Sequence, residues 1–418
     1  MQNNYYQATR RVEFSAPALD ADIETDVAIV GGGISGVSAA LHLAEQGFNP
    51  VLLEAHEIGW GASGRNGGQA LPGFSASMHK LTNLVGAGEA RKLWDMSVEA
   101  VDLLHARIQR HAIPCDPQIG YLHAALKPRQ VRELKQEQEE LARLGAPAGR
   151  LLEGAELRAR LNSPRYIAAL EDKLAGHLHP LNYTLGLAKA AQAAGARIFE
   201  HSPVTRAEHG DPVILHAGPH KVRAKFLIIA GGAYLNGLEQ KLDGYIMPVG
   251  TYVMATEQRE DVRTLIPGNE AVADVNFVLD YFRRSVDDRM LFGGRVSYSK
   301  LQPPNLGAAM LKRAVSVFPQ LKNAKVEFAW GGFVDITRNR TPHFGRLAPN
   351  ILFLQGFSGH GLALTGLAGK LAAEVVAGQS ARFDVFASIP HARFPGGALL
   401  RTPALLLATT WFRLRDML

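Results

Sequence analysis

Two short glycine-rich stretches carry the chemistry that this sequence can do. VGGGISG spans residues 30–36 and QGFSGHG spans residues 355–361. Each follows an apolar run and opens into a pattern of helical spacing. In the first, Gly31, Gly33 and Gly36 satisfy G-x-G-x-x-G. Gly31 permits a tight turn, Gly33 lets a pyrophosphate approach the backbone, and Gly36 lets the helix pack close to the strand. The helix opens at Ile34 and Ser35, and its unpaired N–H groups suit phosphate oxygens. Glu54 ends the next apolar run, PVLLEA, at the spacing where a carboxylate meets ribose hydroxyls.

The fingerprint does not choose between dinucleotides, but the stretch after it does. GWGASGRNGGQ, residues 59–69, is a second glycine-dense loop in the same unit. It carries Ala62, Ser63, Arg65, Asn66, Gly67, Gly68 and Gln69. A nicotinamide domain has no need of it. An extended flavin dinucleotide does, because its ribityl chain and ring must thread past backbone. A flexible linker rarely mixes small residues with Trp, Arg and Asn.

The elements that hold these loops read as strand, glycine turn, helix, strand, the opening of a parallel α/β sheet. The same signals return at AKFLIIAGGAYL and at NILFLQGFSGHGLALTG. Residues 79–112 read as helical, and residues 245–300 as strand-rich. Three separated α/β blocks imply a discontinuous nucleotide domain into which a second domain is inserted twice. The boundaries read as 1–78, 176–240 and 334–385 for the first and 79–175 and 241–333 for the second. A tail, 386–418, carries Leu407, Trp411, Leu414 and Leu418 on one helical stripe, suited to the protein's own core, a dimer mate or a membrane surface.

Composition excludes other classes. A formal charge of +6 spread over 418 residues, without a basic run, argues against nucleic acid. The lone Cys115 leaves no disulfide framework and fits a reducing, cytoplasmic setting. No G-x-S-x-G is completed, so a hydrolase elbow is not supported. His177 and His179 would share a strand face, but no third ligand has suitable spacing, so no metal site is expected.

The motifs GWGASGRNGGQ, GHLHPLN (176–182), LDYFRRSVDDRMLFGG (279–294), PHFGRL and GFSGHG together resemble the D-amino-acid-oxidase-like superfamily of FAD-dependent oxidoreductases. The resemblance implies an α/β fold, a discontinuous Rossmann-type FAD-binding domain plus an inserted α+β substrate domain whose large antiparallel sheet roofs the flavin, with Val204 meeting the adenine through its backbone. Gly231 and Gly232 would lie against the cofactor. Gly356, Ser358, Gly359, His360 and Gly361 would meet the ring, where backbone N–H groups and a helix end stabilise developing negative charge. FVDITRNRTPHFGRLAPN lacks the cysteine to which some sarcosine oxidases attach flavin, so noncovalent FAD is expected. Leu362, Ala363 and Leu364 stand where those enzymes place a carboxylate-binding lysine.

The implied reaction is hydride transfer from an amine C–H to flavin, giving imine and then aldehyde, with oxygen or another acceptor downstream. A gamma-glutamylated polyamine fits as substrate. A cyclic or N-alkyl amino acid such as pipecolate, and a non-enzymatic FAD-binding role, are the alternatives. Tyr281 and Arg283 on one strand face, Trp330 and His360 are the candidates to line the site, each weighed against ordinary packing.

Overall fold

The computed structural model describes residues 4–147, 149–276, 278–297 and 304–395. The amphipathic stripe expected at residues 407–418 lies outside the described residues.

Five strands run parallel at the centre of the first sheet, in the order Ile351–Gln355, His220–Ile229, Ile23–Val30, Pro50–Leu53 and Arg197–Phe199. Their register sets Ile29 beside Ile228 and Leu52. Val27, Ala28, Ile29, Val51 and Leu52 are all fully buried, which a sheet covered on both faces requires. The helices Ile34–Glu45, Pro180–Ala193 and Leu364–Val376 pack together over one face. Parallel strands place every following loop at the same sheet edge. Gly31, Glu54, Ala230 and Gly356 each follow directly on one of these strands. The strand order reverses between Ile23–Val30 and His220–Ile229, the topological position at which such sheets bind ligands.

The second sheet runs in the order Val326–Thr337, Ile246–Thr256, Met290–Ser297, Tyr281–Arg284, Ala271–Asp274, Gln118–Ala125, Ala168–His177 and Gln69–Ala70. Its pairs are antiparallel except Ala271–Asp274 with Gln118–Ala125. Leu122, Met254, Phe282 and Phe292 face outward and bury against Met310 and Ala314 of the helix Leu306–Val317. The inner face turns Trp330 and Val253 into the core that also holds Ile34 and Leu364. The two sheets thus share one core, and the glycine loops lie under the second sheet.

The long helix expected at 79–112 is two helices, Met78–Val85 and Ala87–Arg110, broken at Gly86, whose φ of +83° suits glycine alone. The short N-terminal helix Tyr5–Ala8 is a wedge between the sheets. Tyr6 packs edge-on to Trp330 at 5.3 Å, and the Tyr5 hydroxyl donates to Asp287 at 2.6 Å.

Candidate flavin site and active site

The first loop is built to hold something against its backbone. Gly31 has φ +111°, and a Cβ there would lie 2.7 Å from the Ala230 carbonyl oxygen. Gly33 is the N-cap of the helix Ile34–Glu45 and, as a glycine, makes no side-chain cap bond of its own. The Ile34 N–H donates to the Ser63 hydroxyl at 3.0 Å, so Ser63 already stands at the helix end. A Cβ on Gly33 would meet that same hydroxyl at 2.9 Å. The arrangement offers N–H groups, a hydroxyl and a positive helix end in one place, which fits a pyrophosphate.

Glu54 accepts from Gly32 N at 2.6 Å and from His56 N at 2.8 Å. Its carboxylate is fixed at the end of its strand, one loop away from the helix N-terminus. Its backbone donates to Phe199 O and accepts from Ser202 N, which brings Val204 alongside. Residues suited to a ribose and an adenine are therefore held together by the fold.

The loop 59–69 is stitched to itself and to the roof. Asn66 donates to Ala62 O at 2.9 Å and Ser63 O at 3.0 Å and accepts from Gly68 N at 2.8 Å. Its side chain shapes the loop and leaves only backbone for a ligand. Arg65 donates to Trp60 O and to Gly331 O of the second sheet, and lies over the Trp60 ring at 4.8 Å. Trp330 returns an N–H to Arg65 O at 2.9 Å. Gln69 is held by Val272 O at 3.0 Å.

The second loop is anchored by a residue that the sequence did not flag. Asp335 ends the roof strand Val326–Thr337 and accepts from Gly356 N at 2.7 Å. Its own carbonyl accepts from Ser358 N at 2.9 Å. Burial pushes its pKa up to about 6, against the pull of the Gly356 and Phe357 N–H groups. Gly232 touches the same carboxylate, since a Cβ there would lie 3.1 Å from it. Gly31, Ala230, Gly231, Gly232, Asp335 and Gly356 therefore form one continuous ridge of backbone. Gly359 has φ +85° and open space around its Cβ position, so a flat ring can approach there. Gly361 lies just before the helix Leu364–Val376, so that helix's N-terminus follows directly on this loop. The donor set, the two helix ends and the missing Cβ atoms fit FAD along this ridge.

The catalytic candidates separate. Tyr281 lies under the roof, over Gly67 and Gly293, where a Cβ on either would strike its ring at 2.5 Å or closer. Arg283, on the same strand face, is spent on structure. It donates to Gly67 O at 2.8 Å, Leu178 O at 3.1 Å and the Tyr6 hydroxyl at 3.2 Å, and is 5% exposed. It clamps the loop from behind and does not face a substrate. Trp330 is fully buried and supports Arg65. His360 contacts the Pro72 carbonyl at 2.9 Å, which assigns the proton to Nε2 and leaves Nδ1 as an acceptor. Burial lowers its pKa.

The two strand histidines do not share a strand. His177 ends its strand against Asn269 O, and His179 caps the helix Pro180–Ala193 by accepting from Asn182 N. Burial first, and then the Arg283 charge, hold both near a pKa of about 3, so both are neutral. Among the described residues no group of three or more metal-ligating side chains comes together. No described helix is long and apolar enough to cross a membrane.

Arg283→Lys is expected to destabilise the protein by about 3 kcal/mol, because a lysine cannot serve these spread acceptors at once. The check is the melting temperature of the apoprotein. A catalytic role would instead leave the melting temperature unchanged and lower turnover.

Comparison with known proteins agrees with this geometry. The FAD dependent oxidoreductase family, DAO, matches residues 26–375. Gamma-glutamylputrescine oxidoreductase of Escherichia coli K12 is 41% identical, over 100% of this chain and 98% of its own. A probable oxidoreductase, OrdL, of Haemophilus influenzae is 38% identical over 99% and 97%. Among solved structures, glycine oxidase from Geobacillus kaustophilus superposes with a TM-score of 0.76 at 21% identity, over 90% of this chain and 100% of that one. The chain belongs to the DAO family of FAD-dependent oxidoreductases, and it is an enzyme that oxidises an amine with FAD as cofactor.

Proposed function

We propose that the substrate is a gamma-glutamylated polyamine such as gamma-glutamylputrescine, that oxygen is the final acceptor, and that the reaction takes place in the cytoplasm. The balance is amine, oxygen and water to aldehyde, ammonia and hydrogen peroxide. Bound FAD supplies the acceptor for the hydride that leaves the carbon bearing nitrogen. The chain's own residues position that carbon and exclude water. Tyr281 and the Gly67 backbone fill the roof side, and the 356–361 loop presents backbone below it.

One observation supports this substrate class above the rest. Leu362, Ala363 and Leu364 follow the second glycine loop, and all three are buried. An apolar segment there gives a carboxylate nothing to bind close to the reacting carbon. A substrate whose carboxylate lies far from that carbon meets no penalty. The full-length likeness to a gamma-glutamylputrescine oxidoreductase points the same way.

Anaerobic titration tests it. Gamma-glutamylputrescine is expected to bleach the bound flavin at least tenfold faster than free putrescine, and pipecolate to leave it oxidised, in line with about 1.4 kcal/mol per tenfold step. Bleaching by pipecolate and not by the gamma-glutamyl amine would replace this reading with that of a cyclic amino-acid oxidase.

A further inference from the structure

The inner face of the roof carries a second polar site, away from the reacting centre. Cross-strand register defines a row of side chains on that face, Trp330, Val253, Gly293, Tyr281, Ala273 and His123. Tyr281 marks the flavin end of this row. His123 stands two strands further on, roughly 10 Å away at the usual strand spacing. Tyr121 lies beside it, paired with Ala271 on one side and Asp172 on the other.

The helix Pro128–Arg143 covers the same face. Its Leu134 packs against Ala125 and Leu170, which sit on the face of Tyr121 and His123. Glu137, one turn on from Leu134, therefore reaches His123, and the two pair at 3.4 Å. Burial works against charge on His123, but Glu137 and Asp274 lift its pKa above the ordinary value. Burial likewise opposes charge on Glu137, and His123 holds its pKa down. Each group therefore favours the charged form of the other.

Tyr121 completes the cluster. It is only 9% exposed, and its ring lies 6.2 Å from that of His123. Asp172 faces it across the strand pair, and Glu137 reaches His123 beside it, so the four groups gather at one place on the inner face. The cluster is also continuous with the second glycine loop. His360 binds Pro72 O, and the adjacent Leu71 packs, as Tyr281 does, against the cluster that holds Tyr121.

We infer that Tyr121, His123, Glu137 and Asp172 form a distal subsite for an α-amino-acid head group, ammonium plus carboxylate, carried on a chain about 10 Å from the reacting carbon. The carboxylates of Glu137 and Asp172 take the ammonium. The His123 ring and the Tyr121 hydroxyl take the carboxylate. Eight single bonds, the separation between the amine carbon and the glutamyl α-carbon of gamma-glutamylputrescine, span roughly 10 Å when extended. The inference rests on the substrate class proposed above and adds where its far end is read.

Calorimetric titration of the FAD-loaded full chain separates the two. The probes are gamma-glutamyl-n-butylamide, which has the head group but no terminal amine, and N-acetyl-n-butylamine, which has neither. The wild type is expected to bind the first at least about tenfold more tightly. Glu137→Gln and Tyr121→Phe are each expected to erase most of that ratio. Glu139→Gln, on the same helix but exposed, is expected to keep it. If Tyr121→Phe fails to hold FAD, His123→Gln takes its place. A wild type that binds both probes alike, or variants that keep the ratio, would overturn the subsite. Flavin bleached by gamma-glutamylputrescine without any head-group preference would sink the subsite and spare the proposed reaction. Preference without bleaching would do the reverse.

Discussion

Gly36→Ala is expected to purify without colour and to bind added FAD about 100-fold more weakly than the wild type. A Cβ at this position would lie 2.0 Å from the Gly31 carbonyl oxygen and 3.3 Å from Ile29 Cγ2. The first of these is backbone, so no rotamer change relieves it. The helix Ile34–Glu45 would have to lift away from its strand. It has little room to do so, because Gly369 of the helix Leu364–Val376 already approaches it so closely that a Cβ there would sit 2.4 Å from the Ser35 carbonyl oxygen. Overpacking of this kind costs about 1–3 kcal/mol. The displacement also carries the Ile34 N–H and its Ser63 partner off the phosphate position. Flavin content on purification and titration of the apoprotein with FAD measure the effect. A yellow variant with wild-type affinity would show that residues 31–36 do not hold the diphosphate.

Much of this arrangement is legible in one dimension, because local signals carry it. The run DVAIV, the glycine spacing and the helical pattern after Gly36 give the first strand, turn and helix within a few residues of their observed ends. Strand ends are less visible. Ile23–Val30 begins three residues before the apolar run, since Glu24 and Thr25 look like loop residues until His220–Ile229 pairs with them. Asp335 is missed for a related reason. An acid in GGFVDITR reads as a solvated position. Its burial depends on Gly356, which lies 21 residues on in sequence, and on Gly232, in the turn that follows the strand His220–Ile229.

Arg283 shows the same limit from the other side. Its shared face with Tyr281 is readable from strand alternation. Whether the cation meets a substrate or three backbone and phenol oxygens is decided by Gly67, Leu178 and Tyr6, all more than 100 residues away. The parallel pair inside an otherwise antiparallel roof is set in the same way, by long-range register that no local pattern records. That pair is what places His123 in the row with Tyr281.

The buried acid gives the second large effect. Asp335 has a folded pKa of about 6 against an ordinary 3.8. A carboxyl whose pKa is raised on folding binds more protons in the folded state than in the unfolded one between these values. Stability therefore falls as pH rises from about 4 to about 6 and stays lower above that window. Two units at about 1.4 kcal/mol each set a ceiling of about 3 kcal/mol. Asp335→Asn keeps an oxygen that can accept from Gly356 N and removes the titration. The variant's apoprotein is expected to lose about 1–3 kcal/mol less than the wild type across that window and to be the more stable of the two near pH 7. Other buried acids titrate as well, Asp274 among them, with burial and then Asp280 raising it to about 7, so the quantity to compare is the difference between the two pH profiles. Parallel profiles would mean that Asp335 keeps an ordinary pKa and that burial does not oppose its charge.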